Sequence, residues 1–141
     1  MRRLYIVGAS ALISGLALSA AYAEEVKIGV VMGFTGPVES MIPAMASGAE
    51  LAMKEASDSG KFLDGSTITP VRADSTCIDN TAAVAATERL VTSDGVKAIV
   101  GGDCSGVTGA MIAQVALPNG IVMISPSATS PGLSTVEDNG L

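Results

Sequence analysis

The sequence contains no histidine and no tryptophan, and its 141 residues include only two tyrosines and two phenylalanines. Without histidine, these residues cannot form the Ser–His or Cys–His pair that activates a hydrolase nucleophile. Basic residues are also few, since eight lysines and arginines oppose 14 acidic residues. An acidic chain without a basic cluster repels phosphate backbones, and scarce aromatic rings leave no base-stacking platform. We therefore expect no nucleic-acid partner.

The N-terminus has the layout of a secretory signal peptide. A positive start at Met1-Arg2-Arg3 precedes residues 4–23, which carry no charge. This stretch ends in Ala21-Tyr22-Ala23, so that small residues occupy the positions expected before a cleavage site. A membrane anchor is the alternative, because about 20 uncharged residues can just span a bilayer. Interspersed glycines and serines favour the leader, and we expect cleavage between Ala23 and Glu24 and export to the periplasm.

The two cysteines, Cys77 and Cys104, make the remaining chain a candidate for one disulfide. An even number of cysteines in an exported chain indicates pairing rather than free thiols. Closing a loop of about 27 residues contributes about 3 kcal/mol in the chain-entropy model. Two buried thiols and a metal pair are the alternatives, but two cysteines without histidine make a poor zinc site. We predict the disulfide and no metal.

The sequence after the leader alternates apolar, β-branched runs with segments of helical periodicity. Pro70 confines the second strand to an edge or a bulge. This alternation predicts an α/β fold with a doubly wound parallel sheet and helices on both faces. No helix follows the last strand, so we expect 24–141 to be the N-terminal part of a longer protein. The predicted strands are 26–32, 67–73, 96–100 and 121–124, and the predicted helices are about 43–57, about 79–93 and about 105–116.

Binding chemistry is expected beyond the carboxyl ends of the strands, as in other open parallel sheets. The loop 101–106 leads into a helix, whose first amides and the hydroxyl of Ser105 are donors for a carboxylate. The loop 125–131 offers carbonyl oxygens and the hydroxyls of Ser127 and Thr129, which suit an ammonium. Together they suit the head group of an α-amino acid. Ser105 can equally be only an N-cap, and the second loop only a turn.

Several runs carry a family resemblance. They are Val100-Gly101-Gly102-Asp103-Cys104-Ser105-Gly106, Ile121-Val122-Met123-Ile124-Ser125-Pro126-Ser127-Ala128-Thr129-Ser130-Pro131, Asp74-Ser75-Thr76-Cys77-Ile78-Asp79, and the first strand leading into Gly36-Pro37. These runs resemble the leucine/isoleucine/valine-binding proteins, the type I periplasmic binding proteins that feed ABC importers. The resemblance spans the chain after the leader. It implies the first part of lobe one of a two-lobed protein, with the second lobe absent from this sequence.

The resemblance also implies a function and the residues that perform it. Ser105 would hold the ligand carboxylate, and Thr129 would bind both carboxylate and ammonium. The carbonyl of Ser127 would accept from the ammonium, and Ala128 would belong to the same binding loop. Such a protein captures a small amino acid, here a branched-chain aliphatic one, and delivers it to the membrane permease of an ABC transporter. It needs no cofactor and is not an enzyme.

Two further implications concern the surroundings of the ligand. A bridge between Cys77 and Cys104 would anchor the loop of Ser105. The family often places an aromatic residue after the first-loop Gly-Pro, and this chain departs from that pattern with Val38-Glu39-Ser40-Met41-Ile42. Met41 or Ile42 could line the pocket instead, which leaves the preferred ligand side chain open.

Three rival functions remain. A secreted thiol or serine hydrolase would use Gly102-Asp103-Cys104-Ser105-Gly106 as a nucleophile elbow and take its histidine from a C-terminal part. A nucleotide-binding domain has the same fold class, but residues 29–36 hold neither a G-x-G-x-x-G nor a GK[ST] motif. The third rival is an extracellular sensor domain that binds amides or urea.

Overall fold

The structure is a computed structural model that describes residues 23–138, so the predicted leader, except Ala23 itself, lies outside the described residues. No helix in residues 23–138 is long and apolar enough to cross a membrane. Short 3-10 turns lie at Phe62–Gly65 and Pro131–Thr135. The strands are β1 (Glu25–Met32), β2 (Thr67–Asp74), β3 (Ala98–Gly101) and β4 (Val122–Ile124). The helices are α1 (Ile42–Asp58), α2 (Asn80–Arg89, continued by the π-helical turn Leu90–Asp94), α3 (Ser105–Met111, continued by the π-helical turn Ile112–Ala116) and α4 (Leu117–Asn119).

The four strands form one sheet in the order β2-β1-β3-β4, and every neighbouring pair is parallel. This confirms the predicted α/β class. Val31 of β1 lies between Ala73 and Gly101, which places the first strand in the interior of the sheet. Pro70 lies in the outer strand β2, as predicted, because a residue without an N–H interrupts a ladder least at an edge.

Apolar residues cover both faces of the sheet, because successive side chains of a strand point to opposite sides. Val30 and Met32 join one cluster, and Val31 between them joins the other. The first cluster packs against α1 through Ile42, Ala46 and Met53. The second packs against the helices that follow β2 and β3, through Ala83, Leu90, Val107 and Met111. Helices on both faces were predicted and are found.

Gly101 allows β3 to approach β1 closely at the end of the sheet. Its φ is 146°, and a Cβ built there would lie 2.1 Å from the carbonyl oxygen of Val31. Any other residue would therefore displace backbone rather than a flexible side chain. The sheet can keep this register only with glycine at this position.

Two strands begin later than predicted because the residues predicted to start them form hydrogen bonds to the preceding helices instead. The N–H of Val96 donates to the carbonyl of Leu90, and the N–H of Ile121 donates to that of Ala116. β3 therefore starts at Ala98 and β4 at Val122. In both cases a left-handed glycine, Gly95 or Gly120, has just ended the helix.

The buried face of α1 differs slightly from the helical periodicity of its sequence. That periodicity suggests a face of Met45, Ala49, Ala52, Met53 and Ala56. In the structure Ile42, Ala46 and Met53 are the buried residues, and Ala52 is exposed. The stripe of small and long apolar residues is wide enough that the sequence alone does not determine which edge of it meets the sheet.

We predict that Asp79→Ala lowers the free energy of unfolding by about 1 kcal/mol. Asp79 is the N-cap of α2, and its carboxylate accepts hydrogen bonds from the N–H groups of Thr81 and Ala82. Urea denaturation of the full-length mature protein measures the loss. Glu88→Ala is the matched control, since it removes an exposed carboxylate from the same helix, away from its N-terminus. Equal losses in the two variants would contradict a capping role.

Candidate functional site

The carboxyl ends of the four parallel strands lie at one edge of the sheet, and a disulfide joins two of the loops that leave them. Cys77 follows β2, and Cys104 precedes the first turn of α3 as its N-cap. Their Cα atoms are 5.2 Å apart, which confirms the predicted bridge. The two sulfur atoms and the carboxylate of Asp103 form a compact group. Because the sulfurs are bonded to each other, this group offers neither a thiolate ligand for a metal nor a thiol nucleophile.

Ser105 connects the loop after β3 to the loop after β4. It is the first residue of α3 rather than its cap, so its hydroxyl is available for contacts outside the helix. The Oγ of Ser105 accepts hydrogen bonds from the N–H groups of Thr129 and Ser130, each at 3.1 Å. Since a hydroxyl has two lone pairs and one proton, these bonds use its acceptor capacity. The Ser105 hydroxyl can therefore interact with a further partner only as a hydrogen-bond donor.

The loop after β4 is fixed by serine side chains. Ser125 donates to the carbonyl oxygen of Gly102 at 2.6 Å and accepts from the N–H of Ala128 at 2.8 Å. The hydroxyl of Ser127 donates to the carbonyl oxygen of Asp103 at 2.8 Å. Three of the four residues predicted from the resemblance, Ser127, Ala128 and Thr129, therefore lie on a loop bonded to the one that carries Ser105.

Some polar atoms of this loop remain available to a ligand. Among residues 23–138, neither the Thr129 hydroxyl nor the Ser127 carbonyl oxygen makes a hydrogen bond, and both residues are exposed. Beside them lies the Ser105 hydroxyl with its proton uncommitted. The edge of the sheet therefore presents donors and acceptors next to each other, without a titratable acid or base among these three groups.

The two candidate pocket residues lie where the loop after β1 meets α1, and they differ in exposure. Ile42 is 1% exposed and packs with Val30 and Met32 in the core, so it has no surface to offer a ligand. Met41, the residue before it, is 58% exposed. The structure thus leaves Met41 as the one of the pair with an accessible side chain.

Asp74 holds the start of that loop in place. Its carboxylate accepts from the Thr35 hydroxyl at 2.6 Å, from the Thr35 N–H at 3.2 Å and from the Thr76 N–H at 2.9 Å. Partial burial raises the pKa of Asp74, but these hydrogen bonds together outweigh it and hold the pKa below its ordinary value. Gly36 makes the approach possible, because a Cβ there would lie 2.5 Å from the Thr76 carbonyl oxygen.

Arg72 supports the same loop from the outer strand. Its guanidinium lies 5.2 Å from the ring centre of Phe34 and forms a two-pronged ion pair with Glu50 of α1. The hydrogen bond from Arg72 holds the pKa of the Glu50 carboxyl below its ordinary value. The cation is therefore engaged by Glu50 and Phe34, while its side chain remains 49% exposed.

Asp103 is a buried residue at this edge of the sheet, and its sequence pattern alone does not predict a role for it. It is 6% exposed, and its Oδ1 accepts from the N–H of Gly33 at 3.0 Å and from the hydroxyl of Ser75 at 3.2 Å. The sequence does show an acidic residue after a buried strand and a pair of glycines, which is a position typical of a residue at the carboxyl edge of a sheet. Which loops it would contact could not be read from that position.

Comparison with known proteins identifies relatives for the whole described region. The sequence profile of the family described as "Periplasmic binding protein" matches residues 25–139. The Leu/Ile/Val/Thr-binding protein of Salmonella typhimurium is 33% identical over 81% of this chain and 30% of its own length. The leucine-, isoleucine-, valine-, threonine-, and alanine-binding protein of Pseudomonas aeruginosa is 32% identical over 95% of this chain and 35% of its own length.

A solved structure agrees with these sequence matches. The branched-chain amino acid transporter substrate binding protein of Streptococcus pneumoniae, in complex with isoleucine, superposes with a TM-score of 0.70. It is 36% identical, and the match covers 78% of this chain and 31% of that one. The present chain therefore spans about a third of the length of the relatives it matches.

We predict that the stabilising effect of Asp74 is lost in acid. A carboxyl whose folded pKa is lowered stabilises the fold above its unfolded pKa of about 3.9, and this contribution disappears as the pH falls through the folded pKa. Wild type should therefore exceed Asp74→Asn in free energy of unfolding by up to about 1 kcal/mol at pH 7, since the group is only partly buried. The difference should begin to shrink below about pH 4 and disappear once the pH lies below the folded pKa of Asp74.

Thr35→Val tests the cause of this difference. The variant removes the 2.6 Å hydrogen bond to the Asp74 carboxylate. The stability difference between wild type and Asp74→Asn should therefore narrow when both proteins also carry Thr35→Val. Denaturation curves of the four proteins between about pH 2.5 and pH 7 span the titration and measure both effects. A difference that widens as the pH falls would contradict the assignment.

Proposed function

The chain belongs to the periplasmic binding protein family, and from this premise we propose that it forms part of a protein that captures a small amino acid for an ABC importer. The support is the family match over residues 25–139 and the names of the relatives, which bind leucine, isoleucine and valine. We propose a branched-chain aliphatic amino acid as the ligand. The loaded protein would then be recognised by a membrane permease.

The observation that carries this proposal is the bonding of Ser105 to the loop after β4. Because its lone pairs are occupied by the N–H groups of Thr129 and Ser130, the Ser105 hydroxyl can only donate outward. A group that meets this proton must be an acceptor, and the carboxylate of an amino acid is a strong one. We assign the ligand carboxylate to Ser105 on this ground.

The ammonium group would find its partners on the loop after β4. The Ser127 carbonyl oxygen and the Thr129 hydroxyl are both acceptors without a hydrogen bond among the described residues. Thr129 can also donate, so it suits a position between the two charged groups of the ligand. Ala128 separates the two residues and keeps the loop short, and its N–H is held by Ser125.

The apolar side chain of the ligand would lie against the loop after β1. Met41 offers an exposed, flexible thioether side chain there, which adapts to aliphatic groups of different shape. Ile42 does not share this role because it is buried in the core. A methionine in place of an aromatic residue is consistent with an aliphatic ligand.

Binding alone accounts for the groups at the site. The relatives are binding proteins, the sequence has no histidine, and the sulfurs of Cys77 and Cys104 are joined to each other. A thiol hydrolase would need one of those sulfurs as a thiolate. We propose that the site closes on its ligand and releases it unchanged, with the second lobe supplied by chain beyond the described residues.

An extracytoplasmic location follows from the family, and we propose the periplasm as the compartment. The layout of the first 23 residues supports export with cleavage between Ala23 and Glu24. We predict that protein recovered from the periplasm of an expressing bacterium begins at Glu24. N-terminal sequencing and the intact mass measure this. Ala23→Asp should prevent cleavage of the leader. Wild-type protein that is recovered from the periplasm and still begins at Met1 would contradict the prediction.

We predict that the full-length mature protein binds an aliphatic amino acid with a micromolar or lower Kd. Calorimetric titration against leucine, isoleucine, valine, amides and urea measures it. Ser105→Ala and Thr129→Ala should each weaken binding by about 10- to 100-fold, because each loses a hydrogen bond to a charged group. Ser93→Ala, an exposed serine on the extension of α2, is the control and should bind like wild type.

Other results of this titration have distinct meanings. Binding of amides or urea alone would keep the binding-protein class but replace the cargo and favour a sensor-like role. Binding of leucine that survives Ser105→Ala and Thr129→Ala would contradict the assigned site. Absence of binding across the whole set would overturn the proposed function.

A further inference from the structure

One residue contacts the loops after all of the other strands, and that residue is Asp103. Its Oδ1 accepts from the Gly33 N–H, after β1, and from the Ser75 hydroxyl, after β2. Its carbonyl oxygen accepts from the Ser127 hydroxyl, after β4. Asp103 itself follows β3. Asp103 therefore bonds to groups up to 70 residues away in sequence.

The charge of Asp103 has no basic partner among the described residues. The ion pairs there join Lys54 to Asp58, Arg72 to Glu50 and Arg89 to Asp94. Its second oxygen, Oδ2, lies 3.7 Å from Cys104 Sγ, but a disulfide sulfur carries no hydrogen to donate. An acidic group buried in this way is costly unless hydrogen bonds compensate it, and the Gly33 N–H and the Ser75 hydroxyl are the donors that do so.

The contacts of Asp103 lead directly to the proposed ligand groups. Ser127, which it holds through its backbone, provides the carbonyl oxygen assigned to the ammonium. Two residues further on, Thr129 donates to Ser105. Any displacement of Asp103 is therefore transmitted over two residues to both halves of the head-group site. Misplacement by about 1 Å is enough to weaken a site of oriented hydrogen bonds substantially.

We propose that Asp103 is a positioning residue for ligand binding, which sets the spacing of the loops through the acceptor oxygens of its side chain and backbone. The inference rests on the proposed function, because it concerns the affinity of that site. It is the acceptor that matters, and the negative charge is dispensable. An asparagine retains Oδ1 for Gly33 and Ser75 and turns its amide toward the sulfur, whereas alanine leaves both donors without an acceptor.

Two substitutions in the full-length mature protein separate these roles. Asp103→Ala should raise the Kd for the bound amino acid at least tenfold, and Asp103→Asn should stay within about threefold of wild type. Thr87→Ala is the control: Thr87 is also buried but bonds only within α2, to the Ala83 carbonyl. It should lower the melting temperature without changing the Kd. Wild-type affinity in a folded Asp103→Ala protein would overturn the proposal, as would a tenfold loss in Asp103→Asn.

Milder variants cover the case in which Asp103→Ala does not fold. Ser75→Ala and Ser127→Ala each remove one hydrogen bond to Asp103 and should each raise the Kd severalfold. When the protein also carries Asp103→Asn, Ser75→Ala should still weaken ligand binding, because the asparagine keeps the Oδ1 that accepts from the Ser75 hydroxyl. Unchanged affinity in both serine variants would contradict the positioning role.

Amide hydrogen exchange keeps this inference separate from the proposed function. Asp103→Ala, or a protein that carries both Ser75→Ala and Ser127→Ala, should show faster amide exchange in 33–37 and 125–130 than Thr87→Ala does. This expectation does not require that a ligand has been identified. If wild type binds no amino acid but exchange accelerates as expected, the proposed function fails and the loop-positioning role survives. If wild type binds and exchange in these loops is unchanged, the positioning role fails alone.

Discussion

The structure depends on the burial of β1 between β2 and β3. Val30, Val31 and Met32 are fully buried, and they alternate between the two faces, so one strand contributes to both hydrophobic clusters. This arrangement requires parallel neighbours on each side, and on one side Gly101 must approach within reach of the Val31 carbonyl. With β1 fixed, the carboxyl ends of all four strands are brought to a single edge. The location of the site is a consequence of this packing.

The loops at that edge must satisfy their polar groups with one another. Backbone polar groups that these loops bury are costly without partners. Serine and aspartate side chains provide these partners: the Ser125 hydroxyl donates to the Gly102 carbonyl, and the Asp103 carboxylate accepts from the Gly33 N–H. The same bonds fix the direction in which the remaining donors and acceptors point. Loops ordered in this way before a ligand arrives would reduce the entropy lost on binding.

Sequence patterns were sufficient for the order of elements, the parallel sheet and the placement of Pro70 at an edge, because these follow from local periodicity and from the geometry of proline. The disulfide followed from the number of cysteines in an exported chain. Other features depend on distances between segments that are remote in sequence. Met41 and Ile42 are adjacent apolar residues, and only the direction of α1 decides which is buried. The role of Asp103 required the positions of loops up to 70 residues away.

The three groups assigned to the ligand, at Ser105, Ser127 and Thr129, carry no charge. Arg72 is the arginine near the carboxyl edge of the sheet, and it is paired with Glu50. A carboxylate at Ser105 would therefore be stabilised by hydrogen-bond donors alone, and an ammonium by neutral acceptors at Ser127 and Thr129. Neutral donors and acceptors arranged side by side suit a zwitterion, whose charges compensate each other when both are removed from water. For the proposed amino acid ligand, whose head group is common to all amino acids, discrimination would fall to apolar contacts such as one with Met41, where each methylene changes affinity by about tenfold or less.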